Sequence, residues 1–252
     1  MRSQIQGRSE PLNQITVPIP IQNQDSKGRS SANEGISLRF DLHIHSNCSD
    51  GRDGVEAILD VALEKGLDGL AITDHDTMEG YHLARKIVEE NGLDLILISG
   101  VEVSTAKGHL LALGIKALPP AKRSPEETID FVHREGGIAI VSHPYHLFRH
   151  AMYRIPNCDA VEVYNSKHIF GIANWWARKM ALKKGLPMVA GSDAHMAKTV
   201  GLGVTVIEID KGCDALEAIK EGRVRIDGQK TPSWVFVSQM ARWLKRHLGK
   251  SV

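Results

Sequence analysis

With 252 residues, of which 42% are hydrophobic and 24% charged, the chain can bury one sizeable core and has the balance of an ordinary soluble domain. A formal net charge of +1 gives no global pull toward polyanions or membrane surfaces. Cys48, Cys158 and Cys213 form neither a CxxC pair nor a disulfide framework, and no apolar run reaches the roughly 18 residues of a spanning helix, so a disulfide-stapled module and a helical membrane protein are excluded and a reducing cytoplasm is expected.

Residues 1–35 are rich in Gln, Asn, Ser, Pro and charges and lack the apolar run of a signal peptide, which predicts a disordered extension. From Leu38 to Ile44, apolar residues alternate with other types, the period of a strand; His43 and His45 then share one face at its end, and Asp50 follows on the loop. Val55, Ile58, Leu59, Ala62 and Leu63 recur at helical spacing. Gly69 to Thr73 reads as a buried strand running into Asp74-His75-Asp76, and a second helix is expected from about Thr77 to Glu90. A third strand is expected from Leu95 through Val103, carrying Glu102, and a fourth from His109 to Gly114, too close behind for an intervening helix.

Ser124-Pro125-Glu126-Glu127 is a helix start, with a Ser cap, Pro at the first position and Glu at the third. Ile138 to Val141 reads as a strand ending in Ser142-His143-Pro144, and Ala160 to Val163 as another, followed by a helix through Trp175 and Trp176 to Lys184. Pro187 to Ala190 runs into Gly191-Ser192-Asp193-Ala194-His195, and Val204 to Ile207 and a short helix from Asp214 follow. Strands alternating with helices imply an α/β fold with a parallel sheet. Metal-type residues at so many strand ends favour a barrel over 36–230, because closure gathers those ends into one pocket. Residues 231–252 are expected to form a basic helix packing on that barrel through Trp234, Val235, Phe236 and Met240.

The candidates at strand ends are His43, His45, Asp50, His75, Glu102, His109, His143, Asp193 and His195. A carboxylate between Val101 and Val103 is expensive to bury without a cation beside it. Imidazoles and carboxylates without thiolates suit Zn, Mn or Fe, and nine donors exceed one ion's needs, so two to three divalent ions would share them. Clustered dications lower the pKa of a bridging water to give hydroxide, and they hold anionic substrate oxygens, which fits phosphate ester hydrolysis. Cys48 reads as a small filler, and His82, His133 and His247 as solvated helix residues. His146, Arg149 and Lys167 are candidates for binding substrate phosphate, with His150, Arg154 and His168 near them.

Asp-Leu-His-Ile-His with Ser-Asp-Gly, then Thr-Asp-His-Asp, Gly-Val-Glu, Gly-His, Ser-His-Pro and Ser-Asp-Ala-His appear in one order, and in this the chain resembles the PHP (polymerase and histidinol phosphatase) family of metal-dependent phosphoesterases. The resemblance implies a distorted (β/α)7 barrel with a trinuclear site: His43, His45, Glu102 and Asp193 on one ion, Glu102 bridging to a second with His109 and His143, and Asp50, His75 and His195 on a third. Asp50, where other members carry His, is similar to the small phosphatases acting on nucleotides. The expected activity is removal of a terminal phosphate from a small phosphorylated metabolite or nucleotide, with Asp193 and His195 catalytic and His195 or water protonating the leaving group. The alternatives are an exonuclease trimming nucleic acid ends, or a non-catalytic RNA-binding subunit similar to the ribonuclease P barrel. No membrane partner is expected, nucleic acid is possible but not favoured, and the sequence leaves the oligomeric state open.

Overall fold

The alternating segment that opens the sequence pattern builds the central strand of one sheet and meets the other through a single bridge at its end. The structure is a computed structural model and describes residues 35–146, 151–168, 171–210 and 213–232. The elements run β1 (Ile36–Ile44), α1 (Val55–Glu64), β2 (Gly69–Ile72), α2 (Glu79–Asn91), β3 (Ile96–Leu97), β4 (Gly100–Thr105), β5 (Gly108–Leu113), α3 (Pro125–Arg134), β6 (Ile138–Val141), β7 (Ala160–Asn165), α4 (Ile172–Lys184), β8 (Met188–Gly191), β9 (Gly203–Ile209), α5 (Ala215–Lys220) and β10 (Val224–Gly228). The capping box at α3 is present: Glu127 N–H donates to Ser124 Oγ at 3.2 Å, and Ser124 N–H donates to Glu127 Oε2 at 3.0 Å. The expected extension at residues 1–34 and the expected basic helix from 233 lie outside the described residues.

The described strands form two five-stranded sheets, in the orders β10-β9-β1-β2-β3 and β4-β5-β6-β7-β8. The architecture is therefore mixed α/β, and no closed barrel is drawn by these ladders. The sheets meet at two single bridges, Ile44–Ala194 and His75–Glu102. Beside each bridge a non-glycine residue is left-handed, Asp193 at φ 51° and Asp76 at φ 52°. Such a residue cannot continue an extended ladder, so pairing stops after one step.

The expectation of parallel pairing holds for β1–β2, β2–β3, β6–β7 and β7–β8. It fails for β1–β9, β9–β10, β4–β5 and β5–β6, which are antiparallel. Only Ala106 and Lys107 separate β4 from β5, too few for a crossover, so that pair is a hairpin. The stretch read as one strand from Leu95 to Val103 is two, because the chain changes sheets at Ser99. That corner is fixed by Ser99 Oγ donating to Ile115 O at 2.7 Å and Gly114 N–H donating to Ser99 O at 2.7 Å. β10 escapes the sequence reading because its Val-Arg-Ile-Asp-Gly offers only two apolar residues, half-buried.

Apolar side chains from both sheets, including Phe40, Leu42, Leu111, Leu113, Ile140, Val189 and Ile207, form one cluster with Leu216 and Ile219 of α5. A second cluster packs Val101, Val103, Leu110 and Val141 with α3 and α4, and a third packs Leu70 and Ile72 with α1 and Ala84 of α2. Glu102 pairs directly with Leu111, so it faces the shared interior, while Val101 and Val103 face the helices. Among the described residues no helix is long and apolar enough to cross a membrane.

Gly203 lies so close to the backbone of Gly191 that an added Cβ would collide with its carbonyl. Backbone cannot yield as a flexible side chain can. Gly203→Ala is therefore expected to destabilise the fold by about 1–3 kcal/mol, read as a lowered Tm. An unchanged Tm would show that β9 can slide without cost.

Candidate metal centre

The strand register concentrates imidazoles around one carboxylate. Glu102 is fully buried, and its two oxygens divide the ring of groups about it. Oε1 lies 2.9 Å from His143 Nε2 and 3.2 Å from His109 Nδ1, and it accepts from Ser142 Oγ at 2.9 Å. Oε2 lies 3.2 Å from His43 Nε2, 3.1 Å from His45 Nε2 and 3.5 Å from His75 Nδ1. Asp193 Oδ1 stands 3.6 Å from His45 Nε2, 4.0 Å from His43 Nε2 and 3.3 Å from His195 Nδ1. At the mouth, Asp50 is exposed, with Oδ2 3.0 Å from His195 Nε2 and 3.9 Å from His75 Nε2. The structure thus brings all nine sequence candidates into one cluster. His109 joins from the start of its strand rather than the end, because the hairpin reverses β5. His75 faces two ways, Nδ1 toward Glu102 and Nε2 toward Asp50, so it touches two of the three groupings rather than the third alone.

Four residues outside the nine candidates support the centre; Asp41 and Asp74 stand inside the Asp-Leu-His-Ile-His and Thr-Asp-His-Asp motifs, and Glu162 and Asn165 lie outside any. Glu162 of β7 is buried, with Oε1 3.0 Å from His43 Nδ1, and its Oε2 accepts from His143 N–H at 2.7 Å. Asp41 accepts from Ser192 N–H at 3.0 Å and Gly201 N–H at 2.7 Å, tying β1 to the loop after β8. Asp74 accepts from Ser46 N–H at 2.7 Å and from the hydroxyls of Ser46 and Ser49 at 2.6 and 2.5 Å, shaping the loop that carries Asp50. Asn165 Nδ2 donates to Asp193 Oδ2 at 3.3 Å and to Glu162 Oε2 at 3.1 Å. A Glu inside Ala-Val-Glu-Val carries the same signal as Glu102, a carboxylate in an apolar strand, and that signal would have found Glu162. Two of the nine candidates sit in left-handed backbone, His143 at φ 28° and Asp193 at φ 51°, conformations that cost about 1–3 kcal/mol each in non-glycine residues and that surrounding contacts must hold.

Lys167, a candidate for substrate phosphate, is buried against the cluster, with Nζ 2.9 Å from His195 Nδ1 and 3.5 Å from Asp193 Oδ1. The ring of His146 lies beside those of His143 and His168, with centroids at 6.4 and 4.9 Å. Arg149 and His150 lie outside the described residues. His133 is exposed on α3, as expected, and its Nε2 also lies 2.8 Å from Asp159 Oδ2. Cys48 belongs to none of the potential ligand groupings among the described residues.

The electrostatics follow from crowding charges out of water. Burial works to lower the pKa of His43, but Glu102, Glu162 and Asp193 prevail and raise it well above its ordinary value. Burial, with His195 nearby, pulls His45 down to about 3. Burial and the Lys167 ammonium lower His195. Burial opposes the charge on Glu102, yet His43, His143 and His109 hold it well below the carboxylate range. Asp41, buried behind the site, is pushed up to about 6.

A divalent cation fits this donor set. His43 Nε2 and His45 Nε2 face each other at 3.1 Å, a separation that a shared cation accommodates as readily as a shared proton. His45 Nδ1, His75 Nδ1 and His143 Nδ1 are buried without a hydrogen-bond partner, which is costly for polar atoms that no ion satisfies. Potential ligand groupings with atoms within 4.8 Å of one another include His43-His45-Glu102, His45-Asp50-His75, His45-Asp193-His195 and His75-Glu102-His109.

Comparison with known proteins identifies the family of the chain. A family model described as the PHP domain matches residues 41–173, and one described as PHP-associated matches residues 171–224. An uncharacterized protein of Methanocaldococcus jannaschii, MJ1587, is 37% identical over 167 residues, 61% of this chain and 96% of its own length. The 5′-3′ exoribonuclease Rnm of Salmonella typhimurium is 27% identical over 229 residues, 89% of this chain and 68% of the relative. A crystal structure from Bacteroides vulgatus, of a two-domain protein containing a predicted PHP-like metal-dependent phosphoesterase, superposes with a TM-score of 0.65 at 20% identity, covering 83% of this chain and 70% of that one. That last likeness is one of fold.

Glu162→Gln keeps the shape of the side chain and removes the charge behind His43. Because partners behind a ligand set its tautomer and orientation, metal affinity is expected to fall by about 10–100-fold, measured by competition with a chromophoric chelator. Unaltered affinity would show that Glu162 only fills space.

Proposed function

The chain belongs to the PHP domain family and hydrolyses phosphoester bonds, and from that premise we propose that it removes a terminal phosphate from small phosphorylated molecules, nucleotides first, using two to three divalent ions of manganese, zinc or iron. The observation that carries this reading is Glu102, whose two oxygens face two different sets of imidazoles, as a bridging ligand requires. In the assignment, His43, His45, Glu102 and Asp193 hold one ion. Glu102, His109 and His143 hold a second. Asp50, His75 and His195 hold the third. Bound ions would act as Lewis acids on the phosphoryl oxygens and activate a water as nucleophile.

The protein's own groups do the rest. Lys167 places an ammonium beside His195 and Asp193, where it can bind a phosphate oxygen, and His146 lines the approach from the β6 side. His195 Nδ1 lies between the Lys167 ammonium at 2.9 Å, which can only donate to it, and the Asp193 carbonyl at 3.0 Å, which can only accept from it, so the tautomer of the ring sets which of the two contacts is a hydrogen bond. A His195 Nε2 that carries the proton can hand it to the leaving alkoxide. A His195 Nε2 that holds a cation cannot, and water then supplies it. Asp193 and Glu162 keep the imidazoles oriented. A terminal phosphate dianion is attracted to such a centre more strongly than a diester monoanion, because the attraction scales with the product of charges.

A second reading is an exonuclease working from a phosphorylated end. It is favoured by the similarity to the Salmonella typhimurium enzyme, which extends over most of this chain. The two readings separate when nucleoside monophosphates, nucleoside 3′,5′-bisphosphates and a uniformly labelled long RNA are compared at equal phosphate concentration. Release of phosphate from the small esters supports the first reading. Rapid shortening of the RNA with the esters untouched replaces it with the second.

Removing the bridge should disturb two ions together. Glu102→Gln is expected to abolish turnover and to lower metal content by more than one equivalent by elemental analysis, while Lys86→Ala, in an exposed pair on α2, changes neither. Full metal content in the Glu102 variant would refute the bridging assignment.

A further inference from the structure

α4 carries its large apolar side chains on the wrong side for a core helix. Its buried residues are Ala177 and Ala181 alone, whereas Ile172, Trp175, Trp176 and Leu182 are exposed. At 3.6 residues per turn these four share a face with Lys179 and Lys183, opposite the two alanines. Trp175 is 56% exposed and Trp176 43%, although tryptophan is highly buried on average. Their rings meet edge to face at 4.9 Å, and Lys179 Nζ lies 5.2 Å from the centroid of each. The helix holds Arg178, Lys179, Lys183 and Lys184 and no Asp or Glu, a local concentration of positive charge in a chain whose net charge is +1.

α4 also starts at the catalytic cluster. In its first turn the Asn174 side chain accepts from Asn165 N–H at 3.2 Å and donates to Asn165 O at 3.1 Å, and Asn165 in turn donates to Asp193. From there the helix runs along β7 for about 20 Å. A second copy of the chain is a poor occupant, because symmetric pairing would set four cations against four.

We propose that the outer face of α4 is a binding platform for single-stranded nucleic acid whose phosphorylated end lies in the metal centre. Bases stack on Trp175 and Trp176, and backbone phosphates contact Lys179 and Lys183. Aromatic faces accept any base and cations follow any backbone, so the platform is tolerant of sequence. The inference rests on the phosphoesterase reading of the site and narrows it, adding short single-stranded oligonucleotides to the terminal phosphates the centre accepts.

The test uses the full chain and a hydrolysis-resistant, 5′-phosphorylated phosphorothioate oligoadenylate of roughly eight nucleotides, with Kd measured by fluorescence anisotropy. The double substitution Trp175→Ala, Trp176→Ala is expected to raise Kd by about tenfold or more. Lys179→Gln with Lys183→Gln is expected to flatten the dependence of log Kd on log salt by about 1.4, two phosphate contacts on a single strand. Both variants should keep the wild-type Tm and the wild-type turnover of nucleoside monophosphates. The proposal is overturned if the wild-type chain does not bind the oligonucleotide, or if the tryptophan variant binds it unchanged. It is also overturned if the variants lose only binding to phosphatidylserine vesicles, or only self-association. Failure of the site reading would look different: tight binding of the oligonucleotide, dependent on both tryptophans, with no hydrolysis of any phosphate ester.

Discussion

One buried carboxylate sets the terms for this structure. Glu102 is fully buried on an interior face that also carries leucine, isoleucine and valine of both sheets, and an unpaired ion there would cost several kcal/mol even after relaxation. The surrounding chain therefore has to bring it positive or polarisable partners. Five imidazoles approach within 3.5 Å, from β1, the end of β2, β5 and the end of β6. They arrive by four local devices: alternation for His43 and His45, a single bridge to Glu102 for His75, a hairpin for His109, and left-handed backbone for His143. The geometry follows from one requirement, that a charge inside an apolar interior must be met on every side.

Behind the ligand candidates lies a layer of acids and amides that fixes their aim. Glu162 reaches both the His43 ring and the His143 backbone, so one side chain couples β1 to β6 across β7. Asp41 clamps the loop after β8 against β1, and Asp74 clamps the loop that carries Asp50. These clamps explain how the left-handed backbone at His143 and Asp193 persists: strain of that kind survives only where neighbouring bonds over-determine it. The region is rigid where chemistry needs fixed donors, and Asp50 at the mouth is the exposed exception.

α4 applies the opposite economy. Its inner face is reduced to alanine so that it can lie close to β7, and its bulk points to solvent. A helix under selection for packing alone would invert that arrangement. The first turn of the same helix is hydrogen-bonded to the ligand cluster through Asn174 and Asn165.

Much of this was legible in the sequence. Period-two alternation placed His43 and His45 on one face, and Ser-Pro-Glu-Glu announced the capping box of α3, because both signals are local. The nine candidate donors could be named because short motifs bracket each of them at or near a turn. What the sequence could not decide was pairing between distant strands. The division into two sheets, the antiparallel β1–β9 and β5–β6 pairs, and the change of sheet at Ser99 depend on which edges meet, and no local period encodes that. The roles of Asp41 and Asn165 likewise come only from the partners that tertiary contact brings to them, whereas Glu162 carries the same apolar-strand signal as Glu102. His133 is exposed, as helical spacing assigned it, and only the tertiary structure adds its surface contact with Asp159. The sequence determined the chemistry available to the centre, and only the tertiary structure decided which atoms face one another, because side-chain identity is local and proximity between strands is not.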